Sequence, residues 1–499
     1  MTPIGKRVGF AAAAAALALA LLVAVPFFAA TTFTGDDHVF LTFARHARNP
    51  LVPFVVDQHG GEYYRPLPMA IWWLLGRAGG GSFVPFAALA LSLHALAVVL
   101  VARLLRVLGR PWPIATAAAA LMLLAPQNLD AAYWYSASTD LLATVFVLGS
   151  LVSLLRARIV FSAILALGAY LSKESTFILP LLAIVLLPIP WRRRWLLVAP
   201  HIAALTVAIT ARTLVLRGSG ASGDPAVSGA GKALQIASGV AHLFTGQGVL
   251  PEGLAFGLGT AIVALSILAA VRRGEVRWQP FGFAMLAMLP LLAAGWAVGA
   301  RYFYLPAVGL AWAAAEALAG IGAAARATLA VGLMLIGVGQ GTERRRDVVS
   351  YDRRVAAAKR AVVDGLRNGH HVFHIDGGIK DLDLAVKQEP ALGAPTADLL
   401  VLADVPASFA ILPATLADDA AFLVASPPLP PSGSYRFGDV HVVGLARRGD
   451  EPSLDEVLAR FPDIRFIRLR PTPAGRVIAR DLTHEIVRRL DLPAATGQD

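Results

Sequence analysis

Apolar runs of about 20 residues, the length that crosses a bilayer as a helix, recur through the first two thirds of the chain. They lie at roughly 8–30, 83–104, 112–127, 139–155, 159–172, 175–190, 195–216, 252–271, 279–298, 303–320 and 323–341. Some are short, so their ends are approximate. The pattern predicts an α-helical polytopic membrane protein with about eleven transmembrane helices. The polar connections alternate in character. Lys6-Arg7, Arg103/Arg106/Arg110, Arg156/Arg158, Arg192–Arg194, Arg272-Arg273/Arg277 and Arg326 all fall on one side, which the positive-inside rule makes cytoplasmic. The other side then receives TGDDHVF to YYRPLP, PQNLDAAYWYSASTD, LSKES, Arg217 to Glu252, and GARYFYLP. One basic run dissents: TERRRD at Thr342–Asp347 follows the last apolar run and falls outside by this count.

Beyond Gln340 the pattern changes to short strand-like segments, HHVFHID, DLLVLADVP, AAFLVAS, VHVVGLA and IRFIRLR, with helical stretches at Asp352–Leu366 and Leu482–Leu490. The chain therefore reads as a transmembrane domain over 1–341 and a small soluble α/β domain over 342–499. An odd number of spans puts the latter on the outer side. It contains no Gly-rich dinucleotide or phosphate loop and no zinc spacing. His370, His371 and His374 are close in sequence, yet a strand sends 371 and 374 to opposite faces, so no metal site is predicted there.

Composition agrees with the membrane reading. Hydrophobic residues make up 57% and charged residues 15% of 499, and the mean hydropathy is +0.63; a soluble chain of this length could not bury so much apolar surface. The formal charge of +11 comes from arginines clustered between apolar runs, where they orient helices; nucleic acid is not an expected partner. The absence of cysteine excludes disulfides, thiolate metal sites and a Cys nucleophile. Lys6-Arg7 before an apolar run also fits a cleavable signal peptide, but the run from Val8 to Ala30 is long for one and reads as a retained helix.

Chemistry concentrates in the outer connections. Asp36 and Asp37 follow the first apolar run, and a carboxylate there can take the proton of an attacking hydroxyl; the competing reading is that the pair caps the next helix. Arg65, Lys173 and Arg301 stand at the outer edge, where a cation is well placed to hold a phosphate, or to anchor the helix at the interface. Asp140 opens a helix after Tyr133-Trp134-Tyr135 and serves either as a second acid or as a charge favourable to the helix dipole, with Ser138-Thr139 as its cap. Glu174 reads as the ion-pair partner of Lys173. His94 and Glu316 lie inside spans and read as polar groups packing helices. His38, His59 and Glu62 could ligate a metal, but cations alone can neutralise a monophosphate, so no cofactor is called for.

The motifs occur in an order that resembles the GT-C superfamily of integral-membrane glycosyltransferases. They are TGDDHVF, YRPL at Tyr64–Leu67, SLHALAVVLVARLL, STDLLATVFVLGSLVSL, LSKES and RYFYLPAVGL. The likeness is to the protein O-mannosyltransferase-like and TMTC-like branch, without the tetratricopeptide repeats of the latter. It implies an inverting transfer from a polyprenyl-phosphate sugar, with Asp36 as general base and Asp37 positioning the acceptor. It also implies that Asp140 is near the sugar, that Arg65, Lys173 and Arg301 hold the donor phosphate, and that Tyr64, Glu174, Tyr302 and Tyr304 bind substrate. Ala300 and Ala307 depart from the family pattern, which often has an acid and a Ser there, so the role of that acid does not carry over.

The expected function is transfer of a sugar from a lipid-phosphate carrier to a glycan, protein or lipid hydroxyl at the periplasmic face of the inner membrane. A lipid-linked polysaccharide polymerase or ligase is the alternative. A transporter would want charged or broken helices at mid-membrane depth, and the spans contain few charges.

Overall fold

The computed structural model describes residues 33, 37, 40, 41, 44, 47–56, 63–79, 82–216, 229–246, 250–272, 278–293, 300–319, 322–367, 372–376, 400–403, 435–437, 440–442, 465–471 and 477–481. The chain divides into two compact units, one formed by 1–31 and 48–346, the other by 32–47 and 347–499.

The first unit is helical. Its elements are α1 (Pro66–Gly79), α2 (Val84–Val107), α3 (Trp112–Leu124), α4 (Pro126–Tyr133), α5 (Ser138–Leu155), α6 (Ile159–Tyr170), α7 (Leu179–Leu186), α8 (Trp191–Leu216), α9 (Gly229–His242), α10 (Glu252–Arg272), α11 (Gln279–Ala293), α12 (Tyr304–Leu318) and the start of α13 (Ala323–Arg367). Single 3-10 turns at Val52–Phe54, Tyr135–Ala137, Glu174–Ile178 and Ala300–Phe303 interrupt them. Proline opens several helices, Pro66 in α1, Pro85 in α2, Pro113 in α3 and Pro180 in α7, where its missing N–H has no partner to lose.

Among the described residues, three helical stretches are long and apolar enough to cross a membrane: Val84–Val107, Tyr135–Leu155 and Trp191–Leu216. Helices occupy the predicted runs from 83 onward, whereas α1, α9 and most of α4 fall outside every run and the run at 8–30 lies outside the described residues; several helices are shorter than a bilayer-crossing one, α3 and α6 among them. α5 is the central element: 83% of its apolar window is buried, against 17% for α8. It packs on α2 and α6, and α8 lies outside α6. Leu196 and Leu214 of α8 are about three-quarters exposed, an apolar outer face of the kind a helix turns to lipid.

Helix α11 packs on α12 through a close backbone approach at Gly309, where a Cβ would lie 2.6 Å from both Ala284 N and Pro280 O. Only glycine allows that separation. The pair has consequences at both ends of the bundle, because the loop that joins them carries Arg301 and their other ends carry Gln279 and Glu316.

In the second unit the helical residues Asp37, Phe40, Leu41 and Ala44 are buried, a spacing that puts them on one face. Strands β1 (Val372–Asp376), β2 (Leu400–Ala403), β5 (Arg465–Pro471) and β6 (Val477–Asp481) form a sheet in the order β2-β1-β5-β6. β1 is parallel to both β2 and β5, and β6 is antiparallel to β5. β3 (Tyr435–Phe437) and β4 (Val440–Val442) pair as a separate antiparallel hairpin. The segments AAFLVAS and Leu482–Leu490 lie outside the described residues.

Candidate functional site

The cations predicted to hold a phosphate meet at one end of the helical unit, and local backbone geometry decides their partners. Lys173 closes the turn after α6 in an extended conformation, φ −163° and ψ 138°, so its side chain and that of Glu174 leave the chain in opposite directions. This corrects the expectation that the two neighbours pair. Lys173 Nζ instead donates to Asp140 Oδ1, in the first turn of α5. Glu174 takes two guanidiniums: Arg65 Nε at 3.0 Å through Oε2, and Arg212 Nη1 at 3.0 Å through Oε1. It also accepts the Tyr64 backbone N–H at 3.3 Å. Glu174 is therefore the clamp that fixes Arg65, just before α1, against Arg212 near the end of α8.

Asp140 and Lys173 are both buried, their side chains 8% and 4% exposed. An ion pair so deep costs several kcal/mol per charge to desolvate and is held only while both partners remain. Burial pushes the Lys173 ammonium down to about 8, with Asp140 opposing the shift and Arg65 and Arg301 adding to it. The helix start supports Asp140 differently from the expected capping. The residue preceding α5 is Ala137, and no side chain caps the helix. The Thr139 hydroxyl donates to the Ser136 carbonyl at 3.2 Å, while Ser138 Oγ receives the Trp72 indole N–H at 3.1 Å. The carboxylate in the first turn remains favourable to the helix dipole.

Aromatic rings line the same end. Lys173 Nζ lies 4.4 Å from the centre of the Tyr302 ring, Arg301 lies 5.2 Å from that ring and 4.1 Å from Trp134, and Arg65 lies 4.3 Å from Tyr63. All are within cation–π range. The Tyr64 hydroxyl donates to the Phe54 carbonyl at 3.1 Å, so Tyr64 braces the preceding loop. Tyr304, buried at the start of α12, shares a 2.6 Å hydrogen bond with His94 Nδ1 of α2. His94 Nε2 is 3.3 Å from the Leu123 carbonyl. A carbonyl can only accept, so the ring proton sits on Nε2 and Nδ1 accepts from Tyr304. His94 thus joins three helices, as a packing polar group should, and it does so through a residue predicted to bind substrate.

Of the predicted residues, the structure brings together Arg65, Lys173, Glu174, Asp140, Arg301, Tyr302 and Tyr304, with Tyr64 alongside. Asp36 lies outside the described residues, as do His38, His59, Glu62, His370 and His371. Asp37 is buried in the second unit. Among the described residues no three His, Asp or Glu side chains converge as a metal would require. Sequence reasoning missed Arg212 as a member of this group. Its signal was present, an arginine inside an apolar helix, which is a functional candidate by default.

No protein-family model matches the chain, and no curated protein matches its sequence. Among solved structures, the fold is similar to the archaeal oligosaccharyltransferase AglB from Archaeoglobus fulgidus, in complex with an inhibitory peptide and a dolichol-phosphate. The identity is 13%, the TM-score is 0.44, and the match covers 78% of this chain. The chain spans 64% of the length of that structure. A likeness this distant transfers no functional residue.

Proposed function

We propose that the chain is an integral-membrane glycosyltransferase that moves a sugar from a polyprenyl-phosphate carrier to an acceptor hydroxyl at the membrane face. The observation that carries this reading is the cluster at one end of the bundle. There Lys173, Arg65, Arg212 and Arg301 gather with Asp140, Glu174 and three aromatic rings, beside apolar helices that can hold a lipid chain. Cations kept from water stabilise the charge that develops on a departing phosphate far better than exposed ones.

In this proposal the acceptor oxygen bonds to the sugar C1 as the bond from C1 to the phosphate oxygen breaks, in a single inverting displacement. The acceptor proton passes to Asp36 as general base, with Asp37 positioning the acceptor, and the bonding electrons leave with the lipid phosphate. Lys173, Arg65 and Arg301 receive that charge. Asp140 holds Lys173 in place and lies near the sugar, and Tyr64, Tyr302, Tyr304 and Glu174 shape the surrounding pocket. About eleven spans would place this cluster and the C-terminal α/β domain on the periplasmic side of the inner membrane. The basic connections would then face the cytoplasm.

The reading is tested by mass spectrometry of periplasmic glycans and glycoproteins with and without the gene, in parallel with binding of undecaprenyl phosphate to the detergent-purified protein. Loss of one glycoform together with binding is the expected result. No change in any glycan and no binding would overturn the proposal. The topology is checked by reporter fusions active only outside the cytoplasm, inserted after Gly223 and after Gly497. Both should be active, and an inactive second fusion would put the C-terminal domain on the other side.

A further inference from the structure

The rings at the site do more than line it. Followed from the buried Asp140 pair outward, they alternate with cations: Lys173, then Tyr302, then Arg301, then Trp134, and then Arg344. The Arg344 guanidinium lies 5.8 Å from the centre of the same Trp134 ring that Arg301 covers at 4.1 Å. Arg344 belongs to α13 and is the first arginine of TERRRD, the basic run that the topology could not accommodate. Its two neighbours differ. Arg345 is exposed, and Arg346 is exposed and paired with Glu343 at 2.5 Å on the same helix.

Lys173, Arg301 and Arg344 thus reach two shared rings at one end of the bundle. A phosphate has several acceptor oxygens, and cations spaced along shared rings can meet more than one of them. Arg106 and Arg110 also lie against rings, Trp112 and Trp312, but at the other end of the bundle; what sets Arg344 apart is that it shares its ring with Arg301 at the Lys173 end. We propose that Arg344 is a further ligand-contacting cation of the phosphate site. The basic run then contributes to anion binding there rather than to orientation of the chain. This rests on the functional reading above, and the ligand is a phosphate-bearing lipid.

The test is binding of undecaprenyl phosphate to the full-length protein in detergent, with the melting temperature of each variant measured alongside. Arg344→Ala should weaken binding by about tenfold, the usual range for a lost charge-assisted hydrogen bond. Arg344→Gln, which keeps length and polarity, should lose as much, and Arg344→Lys should retain part. Arg345→Ala and Arg346→Ala should stay within about twofold of wild type, the range of a screened surface charge. The affinity of Arg344→Ala should also depend less steeply on salt.

If wild type binds and Arg301→Ala loses affinity while folded Arg344→Gln does not, the role of Arg344 is overturned and the functional reading stands. Equal losses in all three arginine variants would also overturn it, since they would report a diffuse field. If wild type does not bind at all, the functional reading fails and this role fails with it.

Discussion

Both ends of the helical unit hold buried ion pairs between helices, yet they are built to different ends. At the first, Arg110, in the connection between α2 and α3, meets Glu316 of α12 at 3.0 Å and Gln279 of α11 at 3.2 Å, with its guanidinium 5.3 Å from the Trp312 ring. Glu316 also receives the Trp312 indole N–H at 2.8 Å. Arg110, Glu316, Gln279 and Trp312 there tie α11 and α12 to the end of α2. Tyr304 and Glu316 are twelve residues apart on α12, about 18 Å at the rise of an α-helix, so the Lys173 cluster occupies the opposite end. Its named side chains are four cations, Lys173, Arg65, Arg212 and Arg301, against two carboxylates, Asp140 and Glu174. A buried pair locks helices together for as long as both partners remain. In the proposed reading the second cluster is the ligand site, because it gathers cations from the start of α1, from α8 and from two connections around Asp140 and Glu174.

The same contrast orders the basic residues. Arg106 lies in the last turn of α2 and Arg110 follows it, Arg156 and Arg158 lie between α5 and α6, and Arg192–Arg194 open α8. Since Asp140 opens α5 and Arg212 closes α8, all of these stand at the end away from Lys173. Arg194 has a local task as well, donating to the carbonyls of Ile189 at 2.6 Å and Ile184 at 2.9 Å, groups left open where α7 ends.

The comparison breaks most decisively at Asp36. Asp36→Asn should reduce transfer by about 100 to 10,000-fold, the usual effect of losing a general base, with binding of undecaprenyl phosphate nearly intact. Near wild-type turnover would move the base elsewhere, with Asp140 next. The locking end is probed by Glu316→Ala, which strands Arg110 in the interior. A broken buried pair costs about 3 kcal/mol or more, read as a clear fall in melting temperature, while the folded fraction should bind lipid phosphate as wild type does. A loss of binding with unchanged melting would reverse the roles given to the two ends.

Smaller effects sharpen the ligand end. Arg65→Ala and Arg301→Ala should each weaken undecaprenyl phosphate binding by about tenfold, and Arg193→Ala should leave it unchanged; equal affinities throughout would make the first two interfacial anchors. The mildest lever is pH. Lys173 holds its proton below about 8 and loses it above, so phosphate binding should weaken by a few-fold as the pH rises through that value. In Asp140→Asn the carboxylate that favours the ammonium is gone, and the break should move to lower pH. A flat profile between pH 7 and 9 would show that Lys173 does not contact the phosphate.

Much of this organisation is legible in the chain itself. Apolar run length is a local property, and the helices α2, α5 and α8 lie where it predicts them. Segregation of the arginines is likewise readable, because alternate connections of a helical bundle must emerge at alternate ends. Candidate residues such as Arg65, Lys173 and Arg301 could be named because charges interrupting apolar sequence are conspicuous. What each of them touches was not readable. Lys173 takes Asp140, 33 positions away, rather than the adjacent Glu174, because an extended residue turns consecutive side chains apart and the packing of α5 against α6 brings the distant carboxylate within reach. Arg212 joins Glu174 across 38 positions and Arg65 joins it across 109, pairings set by where α1 begins and α8 ends. Trp134 receives Arg344 only because of how α13 is placed within the unit. The sequence by itself determined which segments are apolar helices and where charge is allowed to interrupt them. Tertiary structure alone decided which charges meet, since Coulomb and hydrogen-bond energies depend on distance and direction in space and not on separation along the chain.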